Sequence, residues 1–411
     1  MTAKLAYHQT ARRNLFNEHG APGTQRWFVI VALAVAIAIL PTGCVVPEAE
    51  IAPLVVSLKN QVPCQQPWPS EIRLSNPLAS IRVSDGGAIA VLRFDRARPM
   101  LYLVTRVDAT STGRVVSLGV PSFKVISDAA IGGLSLTAAD IDPDGRYAVT
   151  AAGRGASAFV GPGSFPVSKE DREDRGIRLW SMTDGHEIKH EERVIAFSHV
   201  VVALTGKVLL ALNTELASGY DLYGLPGLDY SISDYLSVHE SGRHSWEAAA
   251  FDATGEYTAL ASTSGIIKVD HIDSSSARPV FERVRSLEYI YADKIVWPDS
   301  PKRPLALAFD PSRRYLVVLR VDGLYRFSLT DGSKVRLSDG SMGPHAAIKF
   351  HPRGGLAAIA AAEGVSIRDT ITGKELARIE GKAYSVDFSP DGKYLAIGGA
   401  DGFVRLYEFC H

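Results

Sequence analysis

The chain has 411 residues, of which 46% are hydrophobic and 22% charged, a composition too apolar for a disordered polymer. Its 44 Lys and Arg nearly cancel 45 Asp and Glu, for a net charge of −1, which argues against a general electrostatic grip on nucleic acid. Three cysteines exclude a disulfide-rich scaffold and most zinc-ribbon spacings.

The first predicted element is apolar. Trp27 to Leu40 is a run of 14 residues without a charge. A membrane span needs about 20, so the run alone has the length of a signal peptide. Arg12, Arg13 and Arg26 precede it, and Glu48 and Glu50 follow. Basic residues stay on the cytoplasmic side. Residues 1–26 are therefore expected there, 27–46 as one hydrophobic helix that signals or anchors, and the rest as translocated. Residues 47–78, rich in Pro and Gln, read as a tether.

Leu40-Pro41-Thr42-Gly43-Cys44 resembles the lipobox of bacterial lipoproteins, where small residues precede a lipidated Cys that becomes the mature N-terminus. The resemblance implies Cys44 as the lipidation site, although Pro41 stands where an aliphatic residue is usual. An uncleaved anchor over Trp27 to Val46 remains the other possibility. Either way a membrane-anchored protein is expected, with its main domain facing the periplasm or the extracellular side.

From residue 79 onward one unit repeats. An alternating apolar run ends in an aromatic or aliphatic residue, a short turn follows, and a second apolar run begins. The clearest copy is Phe388-Ser-Pro-Asp-Gly392-Lys-Tyr394. Others are Ile141-Asp-Pro-Asp-Gly145-Arg-Tyr147, Phe251-Asp-Ala-Thr-Gly255-Glu-Tyr257, Phe309-Asp-Pro-Ser-Arg-Arg-Tyr315 and Phe350-His-Pro-Arg-Gly354-Gly-Leu356. Val202 and Phe94 head weaker copies. The seven anchors, 94, 141, 202, 251, 309, 350 and 388, have a mean spacing of 49 residues. A third alternating run follows each pair, as in Gly176-Ile-Arg-Leu-Trp180 and Asp401-Gly-Phe-Val-Arg-Leu-Tyr407, and sometimes a fourth, Glu375 to Ile379. Short strands joined by Gly and Asp turns form hairpins.

Four antiparallel strands per unit make a propeller blade, and WD40 blades repeat every ~40–45 residues. Residues 79–411 resemble WD40-type propeller proteins, in degenerate form: no blade ends in Trp-Asp. The expected fold is all-β, a seven-bladed β-propeller. The last copy stops after its third strand, and an open ring would leave two sheet edges bare. Ala79-Ser-Ile-Arg-Val-Ser84 has the right alternation to supply the missing strand and close the ring. That closure would bring Cys410 near the approach to Ala79. In an oxidising compartment Cys64 and Cys410 could then form a disulfide.

Little in the chain points to catalysis. There is no phosphate loop, zinc helix, haem motif or nucleophile elbow. Asp140-Ile-Asp142-Pro-Asp144-Gly145 opens like a calcium loop, but the twelfth position, which needs a Glu, is Ala151. The run also falls on a repeated turn, which accounts for it. His186 and His190 read as solvated residues between strands. Trp180, Tyr220, Tyr223, Tyr325, Phe327 and Tyr407 alternate along third strands, as inter-blade packing requires.

Recognition is expected on long polar loops of one face. The insert 161–176 is longer than a hairpin needs and carries Lys169, Glu170, Asp171, Arg172 and Arg175. His239, Glu240, Arg243 and His244, and then Lys302 and Arg303, should project from the same face. The resulting expectation is a membrane-tethered, protein-binding or scaffolding module without catalytic residues, metal or cofactor. The partner is a protein, nucleic acid is not expected, and a small-molecule ligand stays open. The rival is a propeller enzyme, a lactonase or other hydrolase or a sugar oxidoreductase, with its site in the central channel. Such a site needs polar residues at matching places in several blades, and the first strands, as in Leu305-Ala-Leu-Ala, begin apolar.

Overall fold

A computed structural model of the protein describes residues 68, 71–72, 74, 76–84, 87–105, 113–132, 136–152, 176–192, 197–213, 219–235, 246–263, 265–273, 280–288, 303–339 and 347–409. Within them, 28 strands form seven antiparallel sheets of four. Blade one is typical: Ile89–Phe94, Met100–Thr105, Gly113–Gly119 and Lys124–Ile131 pair in that order. The first strands of successive blades touch one another around the whole circle, blade seven meeting blade one. They form the inner ring of a seven-bladed β-propeller.

Blade seven is built from both parts of the chain. Ala383–Phe388, Tyr394–Gly399 and Phe403–Glu408 supply three strands, and Ala79–Arg82 supplies the outermost. Ala79 lies opposite Leu406 and Arg82 opposite Phe403. The Val83 N–H extends the ladder to the Gly402 carbonyl at 3.0 Å. The expected closing strand is therefore present, and no blade is left with three strands.

Seven buried apolar clusters lie between neighbouring blades, one for each seam. Tyr102 and Val104 of blade one, for example, meet Ile141, Ala148 and Trp180 of blade two. The third-strand aromatics Trp180, Tyr220, Tyr223, Tyr325, Phe327 and Tyr407 are all buried in these seams. A twisted four-stranded sheet cannot bury both faces alone. Stacking seven in a circle covers every inner face, and the outermost strands carry exposed residues, Val125, Ile126, Ile188 and Val335 among them. Lys334 and Arg336 on one of these strands are exposed and discourage edge-to-edge pairing.

The repeated turn has a repeated cause. The residue after each inner strand is buried, and in every blade but the third, where it is Ala203, its side chain accepts backbone N–H groups of the turn. Asp142 takes Asp144 and Arg146 at 3.2 and 3.1 Å. Asp252 takes Glu256 and Tyr257, both at 3.0 Å. His351 Nδ1 accepts from Arg353 at 3.2 Å, and Ser389 Oγ from Tyr394 at 2.9 Å. The glycine that follows has positive φ and lies against the preceding blade. A Cβ on Gly145 would enter the Tyr102 ring, and one on Gly392 would enter the His351 ring. Blades one and five depart from this rule: the turn Asp95-Arg96-Ala97-Arg98 has no glycine, and Arg313 occupies the glycine place with φ 57°.

Part of the segment read as a tether is docked. Trp68 Nε1 donates to the Gly354 carbonyl at 3.3 Å, and its ring packs edge-on against His351 at 4.8 Å. The Ile72 N–H donates to the Leu376 carbonyl at 3.0 Å. Trp68, Ile72 and Leu74 all pack on the cluster between blades six and seven. The strap that leads to the closing strand thus covers the seam between blades six and seven, whereas Ala79, Ile81 and Val83 at the closing strand pack on the seam between blades seven and one. His190 also differs from expectation, lying on the outer strand Glu187–Glu191 of blade two opposite Arg178.

Candidate functional site

Six of the seven inner strands carry a register shift one residue after their start, as between Ile89 and Val91 or Trp246 and Ala248. Such bulges re-aim side chains. The bulged residue of blade two, Thr137, bonds the Phe197 carbonyl of blade three at 2.7 Å. Its counterpart in blade four is Glu247, which pairs with Arg303 of blade five at 3.1 Å.

A second polar level lies one residue before the end of the inner strand in four blades, at Arg93, Asp140, Lys349 and Asp387. Arg93 of blade one pairs with Asp140 of blade two at 3.1 Å, both side chains over nine-tenths buried. It also donates to the Ile141 carbonyl at 2.5 Å. Asp140 in turn accepts the Val202 N–H of blade three at 2.7 Å. Asp387 of blade seven accepts the Phe94 N–H of blade one at 2.9 Å. Burial pushes the Asp387 carboxyl above its usual range, against the opposing pull of Lys349, the Phe94 N–H and Arg93. These contacts all point from one blade to the next. They act as latches between neighbouring blades, and their carboxylates are taken up by guanidinium or backbone donors.

Sequence reasoning missed this network, because it looked at where inner strands begin. Arg93, Asp140, Lys349 and Asp387 all precede the residue that ends the strand, and aligning the seven copies on that residue would have exposed them. The calcium-like run is likewise divided. Asp140 holds Arg93, Asp142 holds Arg146 at 2.7 Å, and Asp144 holds Arg96 at 2.7 Å. Among the described residues no three His, Cys, Asp or Glu side chains gather in a metal-holding group.

His199 is the nearest approach to a catalytic base. It sits on the inner strand of blade three, hydrogen-bonded to Ser198 Oγ at 3.0 Å. Burial lowers its pKa, Glu247 opposes that effect and Arg303 adds to it. The arrangement favours a neutral imidazole beside an ion pair.

Of the expected partner-binding residues, Arg303 alone falls within the described residues, and the structure ties it to Glu247 beside the channel. Lys169, Glu170, Asp171, Arg172, Arg175, His239, Glu240, Arg243, His244 and Lys302 lie outside them. So do Cys44, Cys64, Cys410 and the 27–46 segment. No helix among the described residues is long and apolar enough to cross a membrane.

At the end of the propeller where the inner strands begin, blades six and seven part to form a groove of about 360 Å³. Val365, Ile379, Ile397 and Tyr407 give it an apolar floor, and Lys382 and Arg405 stand among its polar lining. Arg405 is held by Asp401 at 2.6 Å.

Comparison with known proteins agrees with this architecture. Residues 373–408, the outer strand of blade six and three strands of blade seven, match the family described as WD domain, G-beta repeat. No curated protein matches the chain. Among solved structures, the β-propeller domain of Cps50 (Swd1) from Myceliophteria thermophila is similar, with a TM-score of 0.54 and 15% identity over 82% of this chain and 99% of that one. At that identity the likeness is one of fold. The chain is a seven-bladed β-propeller in which one repeat matches the WD domain family.

Proposed function

We propose that the protein is a membrane-tethered propeller on the outer side of the membrane, serving as a protein-binding or scaffolding module. One observation carries the reading: charged side chains on and beside the inner strands are engaged in latching blades together. Arg93, Asp140, Asp387, Glu247 and Arg303 all make inter-blade contacts. A ring so fixed presents its loops to a partner with little ordering cost. WD40-like propellers commonly act as interaction scaffolds, an analogy of fold that raises this reading without proving it. Tethering rests on the apolar run 27–46 and on Cys44.

Affinity purification from detergent-solubilised membranes tests the proposal. The intact chain should retain a defined set of proteins, and a chain lacking 161–175 should lose some of them. An intact chain that retains nothing above the tag alone overturns the scaffold reading. The mass of the mature N-terminus tests the anchor: lipid on Cys44, lost in Cys44→Ser, supports the lipoprotein form, and an uncleaved Met1 excludes it.

The rival, an enzyme with its site in the channel, draws on His199 and Glu247, which lie on adjacent inner strands. Glu247 is neutralised by Arg303 at 3.1 Å, which leaves the pair poorly suited to act as base and acid. Glycoside or lactone hydrolysis abolished by His199→Ala would establish that reading instead.

A further inference from the structure

The groove between blades six and seven differs from an ordinary surface dent, because this seam already holds an extended peptide elsewhere. The strap before the closing strand packs Trp68, Ile72 and Leu74 on the apolar cluster of that seam. It adds a main-chain bond from the Ile72 N–H to the Leu376 carbonyl and an indole bond from Trp68 to the Gly354 carbonyl. Val365, Ile397 and Tyr407, which floor the groove, belong to the same cluster, and Ile379 packs against it. The strap thus covers part of one apolar surface, and another part is reached through the groove.

The groove's placement suits a ligand. It lies between the 6→7 connection, Glu380 to Lys382, and the turn at Ala400 and Asp401. That is the end of the propeller from which the long connections leave. A volume of about 360 Å³ lies within the range of small binding sites, which combine an apolar lining with a few polar groups. Burial pushes the Tyr407 phenol upward in pKa, against Arg405, so the ring stays neutral. Arg405 is matched by Asp401. Lys382 and Glu380, both exposed, are the charges left to meet a ligand, Lys382 an acidic group and Glu380 a basic one.

We infer that this groove binds an extended peptide segment of a partner protein, seating one aliphatic or aromatic side chain on the Val365–Ile397–Tyr407 floor and an acidic residue beside Lys382. The inference rests on the scaffold reading and gives it a location. Main-chain bonding with a side-chain anchor is how the strap itself is held, and extended peptides are recognised in this way on sheet proteins generally. One buried anchor with one charge match supports micromolar affinity, about −8 kcal/mol.

The test uses a phage-displayed random peptide library panned on the immobilised full chain. Three variants are compared: Ala400→Trp fills the groove, Lys382→Glu reverses its charge, and Ile371→Asp alters an exposed residue at the opposite end of blade six. Circular dichroism and melting of each variant confirm that the ring is intact. Selected peptides should share a large apolar residue with an acidic neighbour. They should bind Ala400→Trp and Lys382→Glu at least about tenfold more weakly, a loss of about 1.4 kcal/mol, and Ile371→Asp as tightly as the unaltered chain. No enrichment, or peptides that bind Ala400→Trp undiminished, overturns the inference. If the intact chain nevertheless retains partners in the membrane purification, the scaffold reading stands and only its location in this groove falls.

Discussion

Replacing Arg313 by glycine sets two effects of opposite sign against each other. Arg313 stands where other blades use glycine, with φ 57°, and a non-glycine residue there costs roughly 1–2 kcal/mol. Glycine would recover that strain. The side chain, however, is 5% exposed and pairs with Asp252 of blade four, itself fully buried, at 3.2 Å. It also lies over the Tyr257 ring at 5.3 Å. Removing one partner of a buried pair costs about 3–5 kcal/mol. Asp252 keeps its bonds from Glu256, Tyr257 and Thr254, which places the loss at the low end. The net expectation is a destabilisation of about 2 kcal/mol, which in a domain this large lowers Tm by roughly 3 °C. Urea unfolding of Arg313→Gly, Asp252→Asn and the double variant measures it. The double should lose less than the sum of the singles by about 1 kcal/mol or more, since the two groups are in contact. An Arg313→Gly protein as stable as the unaltered chain would refute the argument. The arginine would then be a tolerated departure from glycine and no latch.

Two further expectations concern the closing blade. The Asp387 carboxyl is raised by burial, so the folded state holds its proton more tightly than the unfolded chain. Its contribution to stability is fully present below about pH 4 and is lost as pH rises through the folded value. Asp387→Asn keeps an oxygen for the Phe94 N–H and removes the charge. Its stability relative to the unaltered chain should therefore climb from about pH 4 upward, as urea midpoints across the range will show; a flat or falling difference contradicts the assignment. If the domain is exported as proposed, Cys64 and Cys410 are expected to be joined. Trp68, four residues after Cys64, and Phe409, just before Cys410, both lie against the His351 ring, at 4.8 and 5.5 Å. A four-residue stretch reaches at most about 14 Å, enough for the two sulfurs to meet. Mass spectrometry without reductant should find one cross-linked peptide pair, and two alkylatable thiols at these positions would dismiss the bridge.

The ring itself was legible in the sequence because its logic is local and repeated. A strand must end, its turn must be capped, and the glycine must fit under the neighbouring blade; the Phe-x-Pro-x-Gly-x-Tyr pattern records all three. Ala79 to Arg82 could be found by alternation combined with the count of strands in the last copy. The strap was not legible in this way. Gln66-Pro67-Trp68-Pro69 has no periodicity, and nothing local shows that the Trp will lie against His351, 283 residues later. The latches were hidden for a different reason. A lone Arg93 or Asp387 looks like a solvated residue on a strand, and its meaning depends on the strand beside it, which comes from a distant part of the chain.

The distribution of those latches follows from how the circle is closed. Before the final residue of the inner strand, blades six, seven, one and two carry Lys349, Asp387, Arg93 and Asp140. Blades three, four and five carry Val201, Ala250 and Ala308. The charged arc therefore includes blade seven, which no single stretch of chain supplies, with blade six on one side and blades one and two on the other. In blades three to five, consecutive chain keeps neighbours at high effective concentration and this level of the inner strands is apolar, while the seam between blades four and five carries its ion pairs, Glu247 with Arg303 and Asp252 with Arg313, at other levels. Blade seven has to recruit a strand from more than three hundred residues away, a long closure that chain entropy opposes. Directional bonds there add what continuity of the chain cannot, because an apolar contact can slide along the seam, whereas a carboxylate that accepts the Phe94 N–H holds one register alone.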